Sequence, residues 1–261
     1  MRRKLPWRLK ANMAARSLLL QACWNYEGMQ NLGFAFTLLP WLRRIQRRGG
    51  GSAAEGLKRH LEFFNTQPYM ASFIIGVTGR LEEDLSAAPP EARPELAARI
   101  SRLKQGFGAA LAGIGDAFFW ATLRPFCAAL AIAVWLFAWT VGSPSPVLWG
   151  LGTYLCAYNA PALWVRWRGL ELGYLWGETA AVELKRFRWH DRIRVLRWAG
   201  LVVAAGVCFC ALLVPPWSAA ASWTNVLLLA AALAVRAYGV ATPRIYAASV
   251  AAAFLAALAG A

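Results

Sequence analysis

Apolar and polar positions follow two different patterns along this chain. Beyond residue 125, apolar runs at 126–142, 147–165, 198–214, 225–241 and 245–261 are separated by short loops, apart from one strongly basic stretch at 166–197. A helix needs about 20 residues to cross a hydrocarbon core, and these runs approach that length. Threading them back and forth puts every charge-rich loop on one face, with the N-terminus inside and the C-terminus outside. Arg236 is the exception, and near a helix end its side chain can snorkel to the interface. The first half is apolar too, but polar residues are set into its runs. Residues 18–42 read as one helical element carrying Asn25, Glu27 and Gln30, which are costly at membrane depth and therefore functional candidates.

The densest such pattern lies at residues 60–68, where His60, Glu62, Asn65 and Gln67 stand among Phe63, Phe64 and Tyr69. Pro68 biases Gln67 away from the helical region, so a helix entering this stretch stops near Asn65. The apolar run that follows, 69–79, is too short to span and predicts a helix that dips in or breaks off at Gly79. Residues 80–105, with both charge signs and several prolines, predict a cytoplasmic surface element with a short amphipathic helix near 96–103. A second break is predicted at 106–125, where Gly106, Gly108, Gly113 and Gly115 lead to Asp116, placed to cap a helix starting at Ala117. Paired interruptions of this kind point to a transporter's binding site, because irregular backbone survives at membrane depth only inside protein or beside a water-filled cavity.

Composition supports this reading. Hydrophobic residues make up 59% of the 261 positions, a level that excludes most soluble folds. The excess of 28 Lys+Arg over 13 Asp+Glu falls in short blocks between apolar runs, such as Arg43, Arg44, Arg47 and Arg48, so it anchors a membrane protein rather than binding nucleic acid. The basic N-terminus and the run ending at Cys23 imitate a cleaved signal, but Arg16 interrupts the run and a patterned segment follows directly, so no cleavage is expected. All five cysteines sit in apolar sequence and are expected to be buried, without disulfide or metal. No His-Glu-x-x-His, Gly-x-Ser-x-Gly or paired-aspartate signature occurs. No catalytic residue, metal or cofactor is expected on the chain. The expectation is an all-α polytopic membrane protein, one domain over 1–261, with a broken-helix half (1–125) and a transmembrane half (126–261).

Four ordered motifs carry a family resemblance: Gln21-Ala-Cys-Trp-Asn-Tyr-Glu-Gly-Met-Gln-Asn-Leu-Gly-Phe, Arg59-His-Leu-Glu-Phe-Phe-Asn-Thr-Gln-Pro, Gly76-Val-Thr, and Gly113-Ile-Gly-Asp-Ala-Phe-Phe-Trp-Ala-Thr-Leu-Arg-Pro. They resemble the IID membrane subunit of the mannose/fructose/sorbose family of the bacterial sugar phosphotransferase system. A weaker match continues through Gly169-Leu-Glu-Leu-Gly-Tyr-Leu-Trp-Gly177. The resemblance implies an inner-membrane subunit that joins a IIC subunit to form a sugar path, assembled into a higher oligomer of IIC–IID units. It also implies cytoplasmic IIA and IIB proteins that phosphorylate the incoming hexose. No phosphoryl-carrying residue is implied for IID, so His60 is expected to make a structural hydrogen bond. The family pattern has Gly-Asp-Pro at the second break, where this chain has Ala117. A divergent subunit with a sensory or regulatory role is the alternative.

For the sugar itself, Asn25, Glu27, Asn65 and Gln67 supply groups that address neighbouring hydroxyls, and Trp24 or Phe64 supplies a ring for an apolar sugar face. His60, Glu62 and Asp116 are expected to support them.

Overall fold

A computed structural model describes residues 5–213, and every element in it is helical. Helix α1 (Trp7–Ser17) is followed by turns and an irregular loop to residue 30, then α2 (Asn31–Arg47) and the short α3 (Ala53–Arg59). A second irregular loop, 60–70, leads into α4 (Ala71–Ala87). Helix α5 (Arg93–Gly115) passes through a π-helical segment (Asp116–Leu123) into α6 (Arg124–Thr140). The chain then turns into α7 (Pro146–Trp176), α8 (Ala180–Arg186) and α9 (Trp189–Leu213). It divides at Ala204 into two units, and of the second only the end of α9 is described. The predicted spans at 225–241 and 245–261 lie outside the described residues.

Helix α4 is the centre of the first unit. Residues 71–79 are buried without interruption, which is what an apolar run with no polar face demands. On one side α2 packs its Phe34, Leu38, Trp41, Leu42 and Ile45, spaced by three or four positions so that they share one face. On another side lies α7, and glycines let the two backbones meet. A Cβ on Gly173 would stand 2.1 Å from the Phe73 carbonyl oxygen, and one on Gly76 2.4 Å from that of Leu170. Small residues four apart, Gly169 and Gly173, form the close-approach stripe common in membrane helix pairs.

Helices α6 and α7 turn large apolar residues outward, including Trp135, Phe137, Trp149 and Leu155. Residues 90–140 form one continuous helix that contains a stretch long and apolar enough to cross a membrane, and 189–210 contain a second. Such surfaces suit a membrane protein rather than one surrounded by water. For the same reason the cysteine expectation fails in part. Cys127 is buried, but Cys156, Cys208 and Cys210 face outward from these helices, and Cys23 is exposed on the first loop.

Four further expectations are corrected. Residues 18–42 are not one helix, because the Asn25 side chain accepts a hydrogen bond from the Gly28 N–H at 2.7 Å and Met29 takes a left-handed φ of 55°, which breaks the helix locally. Helix α4 does not stop at Gly79 but runs on to Ala87. Gly79 lies inside it, its Cβ position in ordinary contact with the Trp41 ring at 3.5 Å. The predicted break at 106–125 is helical throughout: Gly108 and Gly115 mark close approach to the 60–70 loop, and Asp116 lies inside the helix with no capping bond. The charged stretch 80–105 is not wholly surface, since Glu82 and Lys104 are buried at 4% and 1% exposure.

Candidate functional site

The two irregular loops carry the first two sequence motifs, and they lock onto each other. Gln30 and Asn31, where the first loop enters α2, meet the second loop from above: the Gln30 N–H donates to the Phe64 carbonyl at 2.8 Å and the Asn31 amide to that of Leu61 at 2.7 Å. Phe64 N–H in turn donates to the Gly28 carbonyl. The Gln30 side chain donates to the Thr66 carbonyl at 2.8 Å and accepts from the Thr66 N–H at 3.1 Å, so one amide satisfies two buried backbone groups. The second loop is held against α5 as well, through Thr66 Oγ1 donating to the Gly108 carbonyl at 2.9 Å.

Gln67 closes the loop. Its Oε1 accepts from the Tyr69 and Met70 N–H groups at 2.8 and 3.0 Å, satisfying donors left free where α4 begins. Its Nε2 is buried and has no hydrogen-bond partner. The absent side chain of Gly115 makes room for it, since a Cβ there would stand 2.5 Å from that of Gln67.

Beneath the loops lie two ionic groups, outside the apolar spanning runs. Glu82 accepts Nε and Nη2 of Arg59 at 3.0 and 2.9 Å, a forked pair, and faces Nε2 of His60 at 3.0 Å. The hydrogen bond expected of His60 is therefore made to a residue that sequence patterning had placed on the surface. Burial holds His60 below its ordinary value of 6.5, outweighing the pull of Glu82 toward the charged form. Burial pushes the Glu82 carboxyl up, but hydrogen bonds from His60 and Arg59 more than offset this and leave it below 4.5. Nε2 is the ring nitrogen that faces the carboxylate, and Nδ1 is buried without a hydrogen-bond partner. The second group joins Glu62 to Ser101 at 3.0 Å and to Lys104 at 3.3 Å. Phe34 packs between the two groups, 5.7 Å from the His60 ring and 5.7 Å from Lys104 Nζ.

The remaining predicted site residues are divided by burial. Trp24 and Glu27 are exposed on the first loop, with Trp24 edge-on to Tyr26 at 4.9 Å, and Asn25 is half-buried and bonded within its own loop. Asn65 is exposed on the second loop, and Asp116 is exposed on the π-helical segment next to Gly115. Phe64 is fully buried, its ring 4.4 Å from that of Phe34. The sequence reading missed Glu82, Lys104 and Arg166. Arg166, 8% exposed, donates to the Ser17 carbonyl and lies over Tyr69. Charges inside otherwise polar or terminal stretches carry no local sign that a distant element will cover them.

An all-helical bundle with outward-facing apolar helices and two interlocked polar loops defines a multi-pass membrane protein. The chain matches the family of IID components of the mannose/fructose/sorbose phosphotransferase system over residues 7–212, and it belongs to that family. It is 38% identical over 159 residues to the mannose-specific EIID component of Escherichia coli K12, covering 61% of this chain and 52% of that one. It is also 38% identical over 154 residues to the sorbose-specific EIID component of Lacticaseibacillus casei, covering 59% and 50%. The chain thus spans about half the length of these curated relatives. Among solved structures it resembles a chain of the mannose transporter ManYZ in complex with microcin E492, with a TM-score of 0.56 and 32% identity over 78% of this chain and 70% of that one.

Proposed function

We propose that this chain is the IID subunit of a sugar permease in the bacterial inner membrane, that it pairs with a IIC subunit to form the translocation path, and that hexose uptake is coupled to phosphorylation by IIA and IIB. One observation carries this reading. Around the interlocked loops, Leu18, Leu19, Trp24, Tyr26, Leu61 and Phe63 are all exposed, an apolar surface beside the polar residues Glu27 and Asn65. A large exposed apolar patch rimmed by polar groups is the mark of an interaction surface. The resemblance to a ManYZ chain supports a partner of the IIC kind.

The sugar then meets this subunit at the loop tips. Asn65 and Glu27 offer outward polar groups, Trp24, the exposed one of the two aromatic candidates, can cover an apolar sugar face, and behind them the buried Gln67 keeps an uncommitted amide donor that a sugar reaches once the loop opens. Asn25 orients the first loop, and His60, Glu62 and Asp116 support the site from beneath and beside it. The basic stretches put the N-terminus and residues 166–197 in the cytoplasm and the C-terminus outside.

The test is binding of a hexose panel to the complex with IIC. Asn65→Ala and Glu27→Gln, both at exposed positions, should each lower affinity several-fold, the loss of about 1 kcal/mol expected for a hydrogen bond to a neutral ligand, while assembly is retained. Unchanged affinity in both assembled variants would place the site wholly on the partner. A periplasm-active reporter should work when fused at Ala261 and stay silent near Arg188; the reverse would overturn the orientation.

A further inference from the structure

Helix α1 runs antiparallel to α2, so its N-terminal turn lies beside the C-terminal half of α2. Between them opens a groove of ≈ 900 Å³ lined by Arg8, Arg16, Arg43, Arg44 and Arg47, with Trp7 at its edge and no acidic residue in its wall. Its volume falls in the upper part of the range, about 300–1,000 Å³, of sites that enclose small molecules. Helix α1 is fixed in place on its other side, where Lys10 pairs with Glu171 at 2.7 Å and Ser17 receives Arg166 from α7. The groove is therefore a built feature of the fold.

Among the described residues none of these five arginines forms an ion pair. Arg16 is partly engaged, donating to the Asn12 side chain and the Phe36 carbonyl, and Arg47 Nε donates to the Arg43 carbonyl at 3.3 Å. Arg44 Nε is buried with no partner at all. Five like charges facing one space repel each other, an arrangement that becomes favourable when an anion occupies it. That all five are arginine and none lysine matters, because the planar guanidinium fork matches the paired oxygens of a phosphate. The uncapped start of α1 adds free N–H groups at the same end.

We infer that this groove holds the phosphate headgroup of an anionic phospholipid from the cytoplasmic leaflet. The lipid source is favoured over a free phosphate by Trp7, 69% exposed at the rim, an indole of the type that sits at the headgroup level of a bilayer. It is favoured also by the basic block of α2, which on the orientation proposed above faces the leaflet where anionic lipid attracts clustered arginines. The inference rests on that orientation but not on sugar transport. None of its residues belongs to the proposed sugar surface.

The experiment is native mass spectrometry of the IIC–IID complex released from bilayers of mixed phosphatidylglycerol and phosphatidylcholine. The wild-type complex should retain phosphatidylglycerol in about tenfold preference, because both headgroups carry a phosphate but the choline cation of phosphatidylcholine is repelled by the five arginines. Arg43→Gln/Arg44→Gln/Arg47→Gln should abolish the preference, and the same three positions changed to lysine should keep the charge and retain only part of it. Excess inorganic phosphate should not displace the lipid. Equal retention by the glutamine variant would overturn the site, as would displacement by phosphate. Lost phosphorylation by IIB with lipid retention unchanged would assign the groove to an acidic protein instead. If the glutamine variant does not assemble, the lysine variant decides: full retention overturns the fork argument. A wrong orientation shows separately, in the reporter fusions.

Discussion

Gln30 and Thr66 exchange two hydrogen bonds across 36 positions of sequence, side-chain amide to backbone in both directions, with both residues buried. This exchange sets the register of the two motif loops. Gln30→Ala leaves the Thr66 N–H and carbonyl buried without partners, and should destabilise the assembled subunit by about 2 kcal/mol or more. Thr66→Val removes only the bond to Gly108, whose carbonyl lies within α5, and should cost about 1 kcal/mol. Thermal melting of the purified complex should rank the two in that order, and equal melting points would remove Gln30 as the lock.

Glu82 gathers Arg59 and His60 at one carboxylate. Glu82→Ala leaves a half-buried cation and a buried imidazole without the carboxylate they share, a class of change costing about 3–5 kcal/mol when fully buried. Arg59 keeps 21% of its side chain in contact with solvent, so the lower end, about 3 kcal/mol, is expected. The same melting assay reads it, and a cost no larger than that of a surface substitution would show that the pair contributes nothing.

Acid should weaken the fold in two stages. His60 titrates lower when folded than its ordinary 6.5, so the unfolded chain takes up the proton first. Its contribution is fully present above 6.5 and is lost as pH falls below that value. Glu82 also titrates lower when folded, so its contribution is present above 4.5 and disappears as pH drops through the folded value. His60→Asn should flatten the first decline and, because the imidazole's hydrogen bond is the main cause that lowers Glu82, shift the second toward higher pH. A melting profile between pH 7 and 5 that is identical in the variant would refute the assignment.

Gly173 should be intolerant of any side chain. Its Cβ position meets backbone atoms of α4 at 2.1 and 2.9 Å, which cannot swing away as a side-chain tip can. Gly173→Leu should prevent stable accumulation, and Gly173→Ala should sharply lower the melting point. Gly113→Ala is the control, with nothing within 4 Å of its Cβ position, and should be neutral or slightly stabilising because alanine favours a helix. Comparable losses in both would mean the glycines act through helix propensity rather than contact.

Local composition and pattern by themselves determined that this chain is helical, that it lives in a membrane, and that four ordered motifs tie it to the IID family, because each of those properties is carried by neighbouring residues. Apolar runs of near-spanning length need no distant contact to be recognised. They also placed a break before Pro68, since a proline acts on the residue beside it, but ended the preceding helix near Asn65, whereas α3 stops at Arg59. What they could not determine was which glycines end a helix and which admit a neighbour. Gly79 and Gly115 have the same local signature as terminators, and only the Trp41 ring and the Gln67 side chain, 38 and 48 positions away (79 − 41 and 115 − 67), show that they are contact points. Nor could they show that Glu82 and Lys104 are buried. A charged residue on a mixed-charge helix looks solvated until another element supplies its partner, here Arg59 and His60 for one and Glu62 for the other. Only the tertiary structure decided these, because the energy that holds a charge inside comes from groups that the chain brings together by folding.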